Sequence, residues 1–188
     1  MIAGDRSNVC MAVATIGERV ESAIVCADAG ELKKRRLTAD TAFEIGSLSK
    51  LMTSNVLAGL IRDSDLSLET ELAALLPKSA TVPSFNGQAI KLKHIVTHSS
   101  GLPPLPSRMK TTNLDNPYKG LSQKALLGSL QDVTLATEPG EKFEYSNYAM
   151  MLLSFGLAHH SGKDFNTLLS DYVFSPIGMR QAFSQRRP

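Results

Sequence analysis

An α+β fold is what this 188-residue sequence predicts, and three observations predict it. Two apolar runs, residues 8–15 (NVCMAVAT) and 20–29 (VESAIVCADA), flank a short segment holding Gly17, the pattern of a β-hairpin that opens the fold. From Ser47 onward the apolar residues recur at helical rather than alternating spacing. Residues 147–161 (NYAMMLLSFGLAHHS) are apolar on nearly every face, so they read as a helix buried on several sides.

Taken in order, residues 31–41 are polar and basic and read as a loop. Residues 47–62 carry Leu48, Leu51, Met52, Val56, Leu57, Leu60 and Ile61 in an amphipathic helical stripe. A short helix is expected over 68–76, stopped by Pro77. Residues 83–120 hold Pro83, Pro103, Pro104, Pro106 and Pro117, so they are expected to be ordered loop around one short helix near 92–97. Helices follow over 121–130, 147–161 (ended by Gly162) and 165–174, before Pro176. The expected order is two strands and then helices only. Residues 1–188 form a single, incomplete domain on this reading, with hairpin and loop over 1–40 and a mainly helical region over 41–188. A lone two-stranded hairpin is marginal in water, so this one calls for more sheet than the chain supplies.

The bulk numbers exclude several classes. A net charge of +2, with basic residues clustered only at Lys33–Arg36 and Arg186–Arg187, argues against a nucleic-acid or membrane-surface partner. No apolar run is long enough to span a bilayer. The opening MIAGDRSN has no basic segment followed by an apolar one, so no signal peptide is expected in this chain, and the compartment stays open. Cys10 and Cys26 give neither a disulfide framework nor a metal spacing, and two reduced, packed thiols are expected.

The chemistry lies in Phe43-Glu44-Ile45-Gly46-Ser47-Leu48-Ser49-Lys50, a Ser-x-x-Lys at the head of a strong amphipathic helix. Residues i and i+3 share a helix face, so the Lys50 ammonium can reach the Ser47 hydroxyl. Free N–H groups and the positive dipole end at such a terminus can stabilise an oxyanion, and a desolvated lysine can act as a base. A second Ser-x-x-Lys, Ser107–Lys110, lies in the proline-rich loop and reads as accidental. Tyr145-Ser146-Asn147 offers a phenol that a nearby lysine can help to ionise and a carboxamide able to hold lysine or substrate. The alternative is a packing tyrosine and a helix-capping asparagine. His94 and His98, four residues apart but without the glutamate of a zinc-protease helix, read as structural, and His159-His160 as capping or surface residues.

Four segments in order carry a resemblance: Phe43–Ser54 (FEIGSLSKLMTS), Lys93–Pro103 (KHIVTHSSGLP), Pro139–Tyr148 (PGEKFEYSNY) and Ser175–Met179 (SPIGM). Together they resemble the serine β-lactamase-like hydrolases, which span class C β-lactamases, D-alanyl-D-alanine carboxypeptidases and esterases. The resemblance is co-linear from about residue 8 to residue 183. It implies a β-lactamase/penicillin-binding-protein-like fold and an acyl-enzyme mechanism. Ser47 would be the nucleophile, Lys50 would assist its deprotonation, Tyr145 would relay protons and Asn147 would bind substrate. The Ser47 N–H would be half of the oxyanion hole. No cofactor and no metal are implied, and relatives of this kind are often exported. A β-lactam, a D-Ala-D-Ala-type peptide or an ester is the expected substrate, and the wording around Ser47 and His98 leans towards the esterase branch.

The pattern breaks at its end. Relatives carry a third motif, Lys/His-Thr/Ser-Gly or a variant, on a later strand, and only residues 180–188 follow Met179 here, with no such triplet. That strand supplies the second oxyanion donor, whose loss costs about 100- to 1,000-fold in rate. Three readings follow: a fragment or truncated product of a serine hydrolase with residual or no activity, a site completed by another chain, or a non-catalytic binding or regulatory module. Self-association through the uncovered sheet edge is a further expectation.

Overall fold

The computed structural model describes residues 10–26, 41–110 and 116–182. The chain divides between Ile45 and Gly46 into two units, each considered by itself.

In the first unit β1 (Cys10–Ile16) pairs antiparallel with β2 (Val20–Cys26), from Cys10 opposite Cys26 to Ile16 opposite Val20. The connection is Gly17–Arg19, closed by the Gly17 N–H on the Arg19 carbonyl at 3.2 Å. Directly opposed residues share a face, so Met11, Val13, Ala23 and Val25 line one side and Ala12, Ile16, Val20 and Ile24 the other. Every residue from 11 to 25 is exposed. The expected ends of the apolar runs (8, 9 and 27–29) and most of the loop at 31–41 lie outside the described residues.

The second unit begins with a 3₁₀ turn, Gly46–Leu48, that runs into α1 (Ser49–Asp63). Thr53, Val56, Leu57 and Leu60 form its buried face, while Leu48 and Leu51, counted in the expected stripe, are exposed. The helix expected over 68–76 shrinks to α2 (Leu72–Leu75). The cause is a competing backbone partner: Leu72 N–H bonds Ile90 O at 2.8 Å, and Leu92 and Lys93 N–H bond Thr70 O and Leu68 O at 2.9 and 3.0 Å. Glu71 and Lys91 thereby form an antiparallel bridge.

Helices only were expected after the opening hairpin, and the structure corrects this. A second hairpin, β3 (Ser84–Phe85) with β4 (Gln88–Ala89), turns at Asn86 (φ 48°) and Gly87 (φ 83°). Asn-Gly is the sequence best suited to the two positive φ angles of such a turn. The remaining helices are α3 (Leu92–Val96), α4 (Gln123–Gly128, continued as a 3₁₀ turn to Asp132), α5 (Asn147–Ser161) and α6 (Phe165–Leu169). A π turn, Ser170–Phe174, extends α6 to the expected limit.

Helix α5 is the hub of this unit. It packs against α1, α2, α3, α4 and α6 and buries Tyr148, Ala149, Leu152, Leu153 and Leu157 completely. Gly162 ends it in the left-handed conformation (φ 69°), as expected. His159 and His160 are exposed in the last turn of α5, as expected of surface residues, and His159 Nδ1 lies 3.1 Å from the carbonyl of Leu75, tying α5 to α2. The crossing with α2 is close, and a Cβ on Gly156 would stand 2.9 Å from Leu75 Cβ. Because that neighbour is attached directly to backbone, relief requires α2 to move. Gly156→Ala is therefore expected to lower unfolding stability by about 1–3 kcal/mol in urea titrations, despite the better helix propensity of alanine.

The proline-rich segment is fastened at Arg108. Its guanidinium bonds Asp132 through Nε (2.8 Å) and Nη2 (2.7 Å), Ser107 Oγ donates to the same carboxylate at 2.6 Å, and Arg108 N–H donates to the buried Ser129 Oγ. Arg108 and then Ser107 hold the Asp132 carboxyl at about 2, below its ordinary 3.8. A depressed carboxylate contributes stability above its unfolded value and loses it as pH falls through the folded one. Asp132→Asn is accordingly expected to reduce the loss of stability between about pH 4 and about pH 2, read from urea midpoints at the two pH values.

Candidate active site

Gly46, with φ 53°, turns the chain into the 3₁₀ segment that carries Ser47, and Ser49 Oγ returns a 2.7 Å hydrogen bond to the Gly46 carbonyl. Lys50 lies one turn further on, and its Nζ donates to Ser47 Oγ at 3.1 Å. The Tyr145 hydroxyl, from the other end of the sequence, donates to the same oxygen at 2.7 Å. Lys50 Nζ also stands 4.9 Å from the centroid of the Tyr145 ring. Three of the four expected site residues therefore meet at one atom.

Charge follows from this geometry. The Lys50 ammonium, and after it the Ser47 hydroxyl, hold the Tyr145 phenol below its ordinary titration range. Burial opposes this weakly, because Tyr145 remains 42% exposed.

A template of backbone bonds presents the phenol. Glu144 N–H donates to His98 O at 2.6 Å, Gly140 N–H to Ser99 O at 2.7 Å, and Ser146 N–H to His98 Nδ1 at 3.3 Å. Ser146 is fully buried; its hydroxyl donates to Pro103 O at 2.6 Å and accepts from Ala149 N–H at 2.9 Å, capping α5. The cap is thus Ser146, not Asn147. Asn147 is the first residue of α5; its N–H bonds Pro104 O at 3.0 Å, and its carboxamide makes no hydrogen bond among the described residues. The structure does not join it to Ser47, Lys50 or Tyr145.

Two residues of the site went unrecognised in the sequence. Ser146 stands where a helix N-cap belongs, immediately before an apolar run, which is a readable signal. His98 packs its ring on Tyr145 at 4.4 Å between centroids, a contact no sequence spacing announces. His94 does take a structural part, its Nδ1 accepting Lys91 N–H at 3.1 Å at the start of α3. An open cavity of about 480 Å³ is lined by Lys91, Lys93, His94, Thr97, Ser99 and Glu138, among others, but not by Ser47. Both of its lysines pair with the one Glu69 carboxylate, which offsets only one of their two charges. Among the described residues no group of three or more His, Cys, Asp or Glu side chains is placed to hold a metal ion.

The fold that carries Ser47, Lys50 and Tyr145 at the head of α1, with α5 as its hub, is that of the β-lactamases and penicillin-binding proteins. The Beta-lactamase family pattern matches residues 3–187, and the chain belongs to that family, whose members are serine hydrolases. It is 32% identical over 142 residues to the D-alanyl-D-alanine-carboxypeptidase/endopeptidase AmpH of Escherichia coli (strain K12), covering 75% of this chain and 36% of that protein. Penicillin-binding protein 4* of Bacillus subtilis is 28% identical over 151 residues, covering 79% of this chain and 32% of that protein. The crystal structure of a β-lactamase/D-alanine carboxypeptidase from Yersinia pestis superposes with a TM-score of 0.80 at 29% identity, covering 93% of this chain and 50% of that one. The chain thus spans half or less of the length of these relatives.

Replacing Lys50 by Met removes both the hydrogen bond and the positive charge that favour the phenolate. The Tyr145 phenol is then expected to titrate at higher pH, as read from near-ultraviolet phenolate absorbance after subtraction of the Tyr145→Phe spectrum.

Proposed function

We propose that this chain carries the acylating machinery of a serine hydrolase, with Ser47 as nucleophile, Lys50 and Tyr145 as its proton partners and Asn147 as a substrate contact. The observation that carries this reading is the convergence of Lys50 Nζ and Tyr145 Oη on Ser47 Oγ. Both partners donate in the resting arrangement, so the serine can release its proton only to a partner that has itself given one up. The depressed Tyr145 phenol supplies that acceptor, with the Lys50 ammonium favouring its ionised form.

The reaction then runs in two halves. Ser47 Oγ bonds to the substrate carbonyl carbon while its proton passes to the Tyr145 phenolate, which Lys50 stabilises. The tetrahedral oxyanion faces the Ser47 N–H, and collapse breaks the bond to the leaving group, which departs with a proton from Tyr145. Water attacks the acyl-enzyme by the same relay in reverse, regenerating the Ser47 hydroxyl. Among a β-lactam, a D-Ala-D-Ala-type peptide and an ester, the name of the Escherichia coli relative favours the D-alanyl-D-alanine peptide, while that of the Yersinia pestis structure joins β-lactamase to D-alanine carboxypeptidase. Asn147, with its carboxamide unengaged, is available to the substrate amide.

Intact-mass spectrometry after incubation with a fluorophosphonate or a β-lactam tests this. One adduct per chain is expected, mapping to Ser47, absent in Ser47→Ala and slowed by about 100-fold or more in Tyr145→Phe. A folded wild-type chain that takes up no adduct would sink the catalytic reading and leave an inactive fragment or a non-catalytic binding module.

A further inference from the structure

We propose that His98 is the positioning residue for Tyr145, holding both the phenol ring and the backbone turn that presents it. The inference rests on the reading of Tyr145 as the proton relay and extends it to a histidine outside the Ser47–Lys50–Tyr145 group.

The backbone gives the first argument. His98 has φ 53°, in the left-handed region that glycine occupies freely and asparagine tolerates. Its N–H donates to Ile95 O at 3.1 Å and its carbonyl accepts from Glu144 N–H at 2.6 Å, so the conformation is clamped from both sides. Histidine is among the few larger residues that adopt this conformation with some frequency, and here the turn holds it there.

The side chain gives the second. The imidazole lies 4.4 Å from the Tyr145 ring, tilted by 37°, and meets Phe143 edge-on at 6.0 Å. Its Nδ1 accepts the N–H of Ser146, the residue that follows Tyr145. One ring therefore fixes the position of the phenol and the main chain on its C-terminal side, while the His98 carbonyl fixes Glu144 on the other. This arrangement needs a neutral imidazole with its proton on Nε2. Burial, and then the Lys50 ammonium, lower the His98 titration from its ordinary value and so favour that form.

A phenol that loses its support no longer keeps its hydroxyl on Ser47 and its ring under Lys50, so its titration moves back up. His98→Asn tests this, because asparagine suits the left-handed backbone but presents no ring. Its Tyr145 phenol is expected to titrate at higher pH than in the wild type, with Ser47 labelling slowed roughly 10- to 100-fold. The thermal unfolding profile reports any loss of fold, and His98→Gly, still better suited to this backbone, replaces the asparagine variant if that one unfolds. A role confined to stabilising the turn would lower the melting temperature and leave the phenol titration of the folded protein unmoved. A folded variant with the wild-type titration overturns the proposal. If the wild-type chain takes no label at Ser47, the hydrolase reading fails while the phenol titration still decides the role of His98.

Discussion

The hydroxyl of Ser146 is the junction on which the rest of the site unit depends. Fully buried, it has one donor and uses it on Pro103 O, and it uses an acceptor position on Ala149 N–H. The first bond ties the 98–104 turn to the start of α5; the second satisfies a helix N-terminus that would otherwise bury an unpaired donor. Tyr145 is the preceding residue, so the position of the phenol is inherited from the best-packed helix of the unit. Replacing this hydroxyl with a methyl group would leave both partners unpaired inside the protein, a cost of about 1–3 kcal/mol for each buried polar group.

From that junction the geometry spreads outward in a consistent order. α5 is anchored by its buried residues against five helices, and Tyr148 secures its first turn by donating to Leu126 O at 2.9 Å. The turn at 98–104 is pinned in its own right by Ser99 N–H on His94 O and by the 140–146 segment. Only after these constraints does the chain expose chemistry. Ser47 and Tyr145 are accessible, whereas His98 and Ser99 are half-buried and Ser146 is buried. The exposed groups thus stand on a well-packed base with an open face.

Much of this was legible in the sequence, for reasons that differ by element. The spacing of Ser47 and Lys50 encodes a local contact, and local contacts survive in a linear pattern. The apolar run at 147–161 announced a buried helix, and Gly162 its end, because both are properties of the segment itself. The helix expected over 68–76 was shortened by a partner around residue 90, which no periodicity within that window can reveal. The β3–β4 hairpin did carry a signal in Asn86-Gly87, but its strands are too short to alternate visibly. For Tyr145 the family resemblance, rather than spacing, suggested the role, and the structure supplies the 2.7 Å contact. The sequence alone reads His98 as structural, because its ring-to-ring approach to Tyr145 and its left-handed backbone are not written in residue order.

The opening hairpin has a consequence of a different kind. Strand register is normally enforced by alternation, since a slip of one residue exchanges a buried face for a solvated one. In β1 and β2 the two faces are nearly equivalent, with Met11, Val13 and Val25 on one and Ile16, Val20 and Ile24 on the other. A slipped pairing would trade valine for alanine or isoleucine and meet little resistance from the side chains. The information that selects the observed pairing within this unit is therefore concentrated in the three residues Gly17–Arg19, and the hairpin is encoded by its bend far more than by its strands.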